Sequence, residues 1–146
     1  MPEIYATRDG RDLPAVPGAY LLWLPLDRPV DLIAPKPGGR LMPGVYLYFG
    51  SANGPGGLRA RVARHLRAEK RPRWHVDQLT AVAGGAARAL AWPGGSECAW
   101  REHVQAAGAT VPVPRFGASD CRSCPAHLLR FDDAGLDDPR LFPVDA

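Results

Sequence analysis

Between Pro17 and Pro25 the chain reads Gly18-Ala-Tyr-Leu-Leu-Trp-Leu24, a near-continuous apolar run, short and flanked by proline, which predicts a buried strand rather than a helix. Val30 to Ala34 is a second, weaker strand pattern between turns at Asp27 to Pro29 and at Pro35-Lys-Pro-Gly-Gly39. From Val45 the period is two: Val45, Leu47 and Phe49 alternate with Tyr46 and Tyr48, the signature of a strand whose faces differ. Gly50 stops it, and Gly54-Pro-Gly-Gly57 forces a turn. Leu58, Val62 and Leu66 then recur every four residues, predicting a helix whose other directions carry Arg59, Arg61, Arg64 and Arg67. Trp74 to Val82 continues as a mostly helical pattern stopped by Gly84-Gly85, and Ala86 to Trp92 reads as a strand. Ser96 suits the N-cap of a helix running to about Ala107, with Glu97 in its first turn, where the helix dipole favours a carboxylate. A loop-rich stretch follows from Thr110 to Pro125, then a short strand from Ala126 to Phe131.

This order of elements predicts an α+β domain: a small antiparallel three-stranded sheet flanked by helices, with a loop-rich, cysteine-containing C-terminal segment. The expected division is a loosely held lead-in over 1–16 with one short strand, a domain over 17–131, and an acidic, solvent-exposed tail over 132–146. At 146 residues one domain is the default. No apolar run approaches the roughly 20 residues a membrane helix needs, and the N-terminal residues lack a signal-peptide pattern, so a cytoplasmic protein is expected.

Charge changes this picture more by its placement than by its total of +3. Between Leu32 and Ser96 ten Lys and Arg residues face only two acids, Glu69 and Asp77. Such a basic middle suits a polyanion such as DNA, with Arg59, Arg64, Arg67, Lys70, Arg73 and His75 as candidate contacts. A solvated basic face is the plain alternative. The tail is the reverse, with five aspartates against Arg140 from Asp132 onward.

Gly18-Ala19-Tyr20 on the first strand and Tyr48-Phe49-Gly50 ending the third resemble the paired tripeptides of the GIY-YIG endonuclease superfamily. Leu58-Arg59-Ala60-Arg61 is similar to the Leu-x-x-Arg that opens the family's next helix, His65 to a His found in some branches, and Ser96-Glu97-Cys98-Ala99-Trp100 to the segment bearing the family's metal-binding Glu. From Pro17 to Phe131 the chain also resembles an uncharacterised prokaryotic branch of that superfamily, through Trp74-His75-Val76-Asp77 and a late Asp120-Cys121 followed by His127-Leu128. The spacing between Tyr20 and Tyr48 exceeds the family's usual hairpin, and the family's late Asn has no clear counterpart.

The resemblance implies a metal-dependent endonuclease hydrolysing DNA phosphodiester bonds, in repair or processing, with a non-catalytic nucleic-acid-binding module or a small zinc-stabilised interaction domain as alternatives. It implies that Glu97 holds Mg²⁺ or Mn²⁺, that Arg61 binds phosphate oxygens, that Tyr20 or His65 takes a proton from water, and that Tyr48 positions phosphate or water. A basic pocket is expected to depress the Tyr20 pKa toward usefulness. Each residue has a plainer reading: a first-turn glutamate starts helices, arginines solvate a surface, and strand tyrosines pack with their hydroxyls at the rim.

Cys121-x-x-Cys124-x-x-His127 has donors suited to zinc, with Cys98, His103 or Asp120 as a fourth ligand, although one cysteine pair is a weak signal and reduced, buried thiols are the favoured reading. The glycine loop lacks both the Walker and GxGxxG spacings, so its glycines are read as allowing close approach of DNA or backbone rather than binding a nucleotide. Trp74, His75 and Asp77 are expected to brace the site or meet substrate.

Overall fold

The computed structural model describes residues 3–33, 39–67, 76–113 and 127–143. In chain order these form β1 (Tyr5–Thr7), β2 (Gly18–Leu26), β3 (Val30–Leu32), β4 (Gly39–Leu41), β5 (Gly44–Ala52), α1 (Gly57–Leu66), α2 (Asp77–Ala83), β6 (Arg88–Pro93), α3 (Glu97–Ala106) and β7 (Leu128–Arg130). The two long apolar runs pair antiparallel over nine residues each, from Gly18 against Ala52 to Leu26 against Gly44. The strand read at Ala86 to Trp92 becomes β6 and flanks β2, Tyr20 lying opposite Ala91. The lead-in strand pairs with β6, and β7 pairs with β5.

The class is α+β, as the periodicity indicates, but the expected three-stranded sheet is replaced by a five-stranded antiparallel sheet in the order β1-β6-β2-β5-β7. The assumption that failed was that strands close in sequence must be partners. Val30–Leu32 does not join the sheet; it forms a separate two-stranded ribbon with Gly39–Leu41. That excursion accounts for the long interval between Tyr20 and Tyr48.

Alternation along the strands divides the core in two. Tyr20, Leu22 and Leu24 of β2 and Tyr46 and Tyr48 of β5 pack with Leu58 and Val62 of α1 and Leu79 of α2. Ala19, Leu21, Leu47 and Phe49 point the other way, into a cluster with Trp100 and Val104 of α3 and with Leu141. The helices therefore cover both faces of the sheet, and strand parity decides which face each tyrosine reaches.

Lead-in and tail are packed rather than loose. Leu13 is buried, and the Val16 carbonyl accepts from Leu58 N at 2.9 Å at the start of α1. The tail returns Ala134 and Leu141 to the α3 side of the core, and the Trp23 and Trp100 indoles donate to the Ala134 and Leu141 carbonyls. Three of its five aspartates are tied up: Asp132 with Arg130, Asp133 and Asp138 with Arg140. Among the described residues no helix is long and apolar enough to cross a membrane.

Candidate active site

The site forms where β2 begins and β5 and β6 end. Tyr20 is only 2% exposed and lies across the ladder from Gly50. A β-carbon at Gly50 would collide with the Tyr20 hydroxyl and ring. Glycine there is thus a vacancy that the tyrosine ring fills, and this links the two tripeptides physically. Tyr48 lies opposite Leu22, diagonal to Tyr20 and on the same face.

The glycine loop turns the chain into α1. Gly56 and Gly57 have φ of 81° and 57°, a region other residues enter only with strain. A side chain at Gly57 would meet the Val16 backbone, so the close approach made here is by backbone. Arg61 and His65, one turn apart on α1, share a face. Arg61 Nη1 donates to the Ser51 carbonyl at 3.2 Å. His65, 1% exposed, places Nε2 2.9 Å from the Tyr20 hydroxyl, and its Nδ1 is 3.8 Å from Oδ1 of Asp77, the first residue of α2. Asp77 is held in turn by Arg64, whose Nη1 and Nη2 donate to its two oxygens at 3.2 Å each. The chain Tyr20–His65–Asp77–Arg64 is buried except at the arginine.

Burial pushes the Tyr20 hydroxyl up to about 12; the nearby Arg61 opposes this, and the Glu97 and Asp77 carboxylates add to it. This reverses the expectation that a basic pocket would lower it: desolvation of a phenolate outweighs one guanidinium. Tyr48 is also raised, burial first, with Tyr20 and Glu97 in the same direction. His65 is lowered by burial, with Asp77 pulling it back and Arg64 and Arg61 adding to the fall. At neutral pH His65 is therefore an uncharged imidazole, able to accept a proton from Tyr20 at Nε2 while Nδ1–H faces Asp77.

Glu97 opens α3 beneath the Ser96 cap, whose hydroxyl accepts from Ala99 N at 3.2 Å. Its side chain is 22% exposed, and Oε2 lies 3.6 Å from Nδ1 of His127. The His127 carbonyl accepts from Phe49 N at 2.9 Å, which fixes that histidine beside the end of β5. Glu97, Cys98 and His127 have donor atoms within 4.8 Å of one another. Cys98 is disulfide-bonded, correcting the expectation of a reduced thiol.

Tyr20, Tyr48, Arg61, His65 and Glu97 thus share one electrostatic neighbourhood. The expected DNA contacts are placed differently. Arg59 Nε donates to the Leu13 carbonyl at 2.6 Å, bracing the lead-in, and Arg64 is committed to Asp77. Arg67 is exposed. Lys70, Arg73, His75, Cys121 and Cys124 lie outside the described residues. Asp77 was expected to brace the site or meet substrate, and it lies against His65; that His65 is its partner was not readable, because a lone aspartate after Trp-His carries no spacing signal. Arg101, 1% exposed on α3 and bonded to Gln105, was missed altogether, although its position one turn after Glu97 was a usable cue.

A family model described as Domain of unknown function DUF123 matches residues 19–139. No curated protein and no solved structure matches the chain.

Proposed function

The chain belongs to the DUF123 domain family, and from that premise and the geometry above we propose that it is a divalent-metal-dependent endonuclease of GIY-YIG type, hydrolysing DNA phosphodiester bonds. The observation that carries the reading is the hydrogen-bonded Tyr20–His65 pair, on the face that also presents Tyr48 and beside Arg61 and Glu97. Fold packing does not require a tyrosine hydroxyl, an imidazole and a carboxylate in series, whereas proton transfer does.

The donor set fits a hard, hydrated cation: one partly exposed carboxylate, Glu97, with solvent on its open side. When bound there, Mg²⁺ or Mn²⁺ supplies charge neutralisation at the scissile phosphate. The remaining work falls to the chain. Arg61, steadied by the Ser51 carbonyl, offers its guanidinium to a non-bridging oxygen. As water attacks phosphorus and the P–O bond to the leaving sugar oxygen breaks, the Tyr20 oxygen accepts a proton from the water while the Tyr20 proton passes to His65 Nε2, and the leaving oxygen takes its proton from solvent. His65 becomes imidazolium, and Asp77 stabilises that charge. No free tyrosinate forms, so a hydroxyl pushed up to about 12 is no obstacle. Tyr48, edge-on to the His65 ring with centroids 6.4 Å apart, holds the imidazole in line.

The test is a panel of duplex, branched and single-stranded DNA incubated with Mg²⁺ or Mn²⁺, with Glu97→Gln as control. Cleavage by the wild type and loss of at least about 10²-fold in the variant is expected. Equal cleavage by both sinks the reading. Salt-sensitive binding with no cleavage selects instead a nucleic-acid-binding module.

A further inference from the structure

Glu97 does not face its site alone. Its Oε2 lies 3.6 Å from Nδ1 of His127, a histidine only 4% exposed that comes from the segment just before β7. The separation decides between two roles. N–H···O hydrogen bonds reach about 3.2 Å, so the pair stands too far apart for one. Two donors bound to the same ion by bonds of about 2.1 Å, at angles of about 90–120°, stand about 3.0–3.6 Å apart. Glu97 and His127 are spaced to share an ion.

One strand residue holds both at that spacing. Phe49 of β5 donates its N–H to the His127 carbonyl at 2.9 Å, and its ring meets Trp100 of α3 edge-on, with centroids 5.9 Å apart. Trp100 is fully buried one turn beyond Glu97, and its indole N–H is bonded to the Leu141 carbonyl. Ligands presented by packed elements are in place before the ion arrives. Cys98 also has its donor atom within 4.8 Å of these two, but it is disulfide-bonded and takes no part.

We propose, building on the nuclease reading, that His127 Nδ1 is a second protein ligand of the ion held by Glu97, and that it tips the site from Mg²⁺ toward Mn²⁺ and other transition ions. Mg²⁺ keeps to oxygen donors and its own waters. Imidazole instead favours first-row transition ions, with affinity rising from Mn²⁺ to Co²⁺ and Ni²⁺. A carboxylate alone discriminates weakly among these ions, and the added nitrogen makes the preference steep.

The test reads metal binding on the full, tag-free chain. Calorimetry with Mg²⁺, Mn²⁺ and Ni²⁺ is expected to give affinities rising in that order. Pulsed EPR of the Mn²⁺-loaded wild type is expected to show the nitrogen coupling of a directly bound imidazole, and Glu97→Gln to lose it. Among the described residues, the donors grouped with Glu97 are those of Cys98 and His127, so a nitrogen lost with Glu97 is that of His127. His127→Gln is expected to weaken Ni²⁺ by more than the about 10–100-fold that an outer-shell partner contributes, and Mg²⁺ by less than about tenfold. Mn²⁺ bound without nitrogen coupling, equal losses of Ni²⁺ and Mg²⁺ in His127→Gln, or a wild type that binds none of these ions overturns the proposal. The EPR arms use wild type and Glu97→Gln, so a poorly folding His127 variant does not blunt the test. Glu97-dependent cleavage without nitrogen coupling sinks the His127 ligand alone, whereas nitrogen coupling in a protein that cleaves no DNA sinks the nuclease reading alone.

Discussion

His65 gathers three roles that the chain keeps apart in sequence: acceptor for Tyr20, partner of Asp77 and part of the buried face of α1. Its pKa is lowered from 6.5 by burial, and Asp77 partly restores it. The sign of the pH dependence follows. The imidazole must be neutral to accept a proton, so cleavage rises with pH as His65 loses its own, with an acid limb below the ordinary histidine range. Asp77→Asn removes a group that raises the His65 pKa, so the acid limb shifts to lower pH. The plateau rate also falls, on the order of 10²-fold, because the imidazolium loses its counter-charge. A pH–rate profile of both proteins checks this; an acid limb that stays put or moves upward contradicts the assignment. The sequence offered His65 as a proton acceptor and Asp77 as a brace but did not join them, since Asp77 approaches His65 only once α2 packs beside α1.

Elements explain why the paired tripeptides have the residues they do. The strand β5 offers no side chain at Gly50, and the Tyr20 ring of β2 occupies that place. Gly50→Ala is therefore expected to leave the ladder paired but move the Tyr20 hydroxyl off His65. A misplacement of this size costs about 10²-fold in rate while the melting temperature changes little by comparison. Parallel cleavage assays and thermal melts separate the two effects, and an unchanged rate would show that Tyr20 is not held by that contact. The helices α1 and α3 were readable in advance because their signals are local: a four-residue apolar repeat, a glycine turn and a serine cap. The two-stranded ribbon was half-read, since Val30–Leu32 has a strand pattern but its choice of partner is not local.

At the scale of the whole molecule, the acidic tail belongs to the fold. Leu141 is fully buried against the α3 side of the sheet, and its carbonyl accepts the Trp100 indole N–H. Leu141→Ala is expected to destabilise the protein by about 2–5 kcal/mol, the range for truncating a buried leucine. Urea unfolding checks this, and a loss under about 0.5 kcal/mol, typical of surface positions, would mean that the tail is peripheral. The family match, which runs to residue 139, also includes most of this segment. Charge misled here: five aspartates read as a solvated run, yet Arg130 and Arg140 neutralise three of them.

The two long strands, the basic helix α1 and the cap that starts α3 at Glu97 were set by the sequence alone, because each depends on residues within a turn or two of one another, whereas the common face of Tyr20 and Tyr48 needed the pairing of β2 with β5. Tertiary structure alone decided the five-strand order, the elevation of the Tyr20 pKa, the Asp77 support of His65 and the meeting of Glu97 with His127. These depend on desolvation and on contacts between distant segments, neither of which exists until both faces of the sheet are covered.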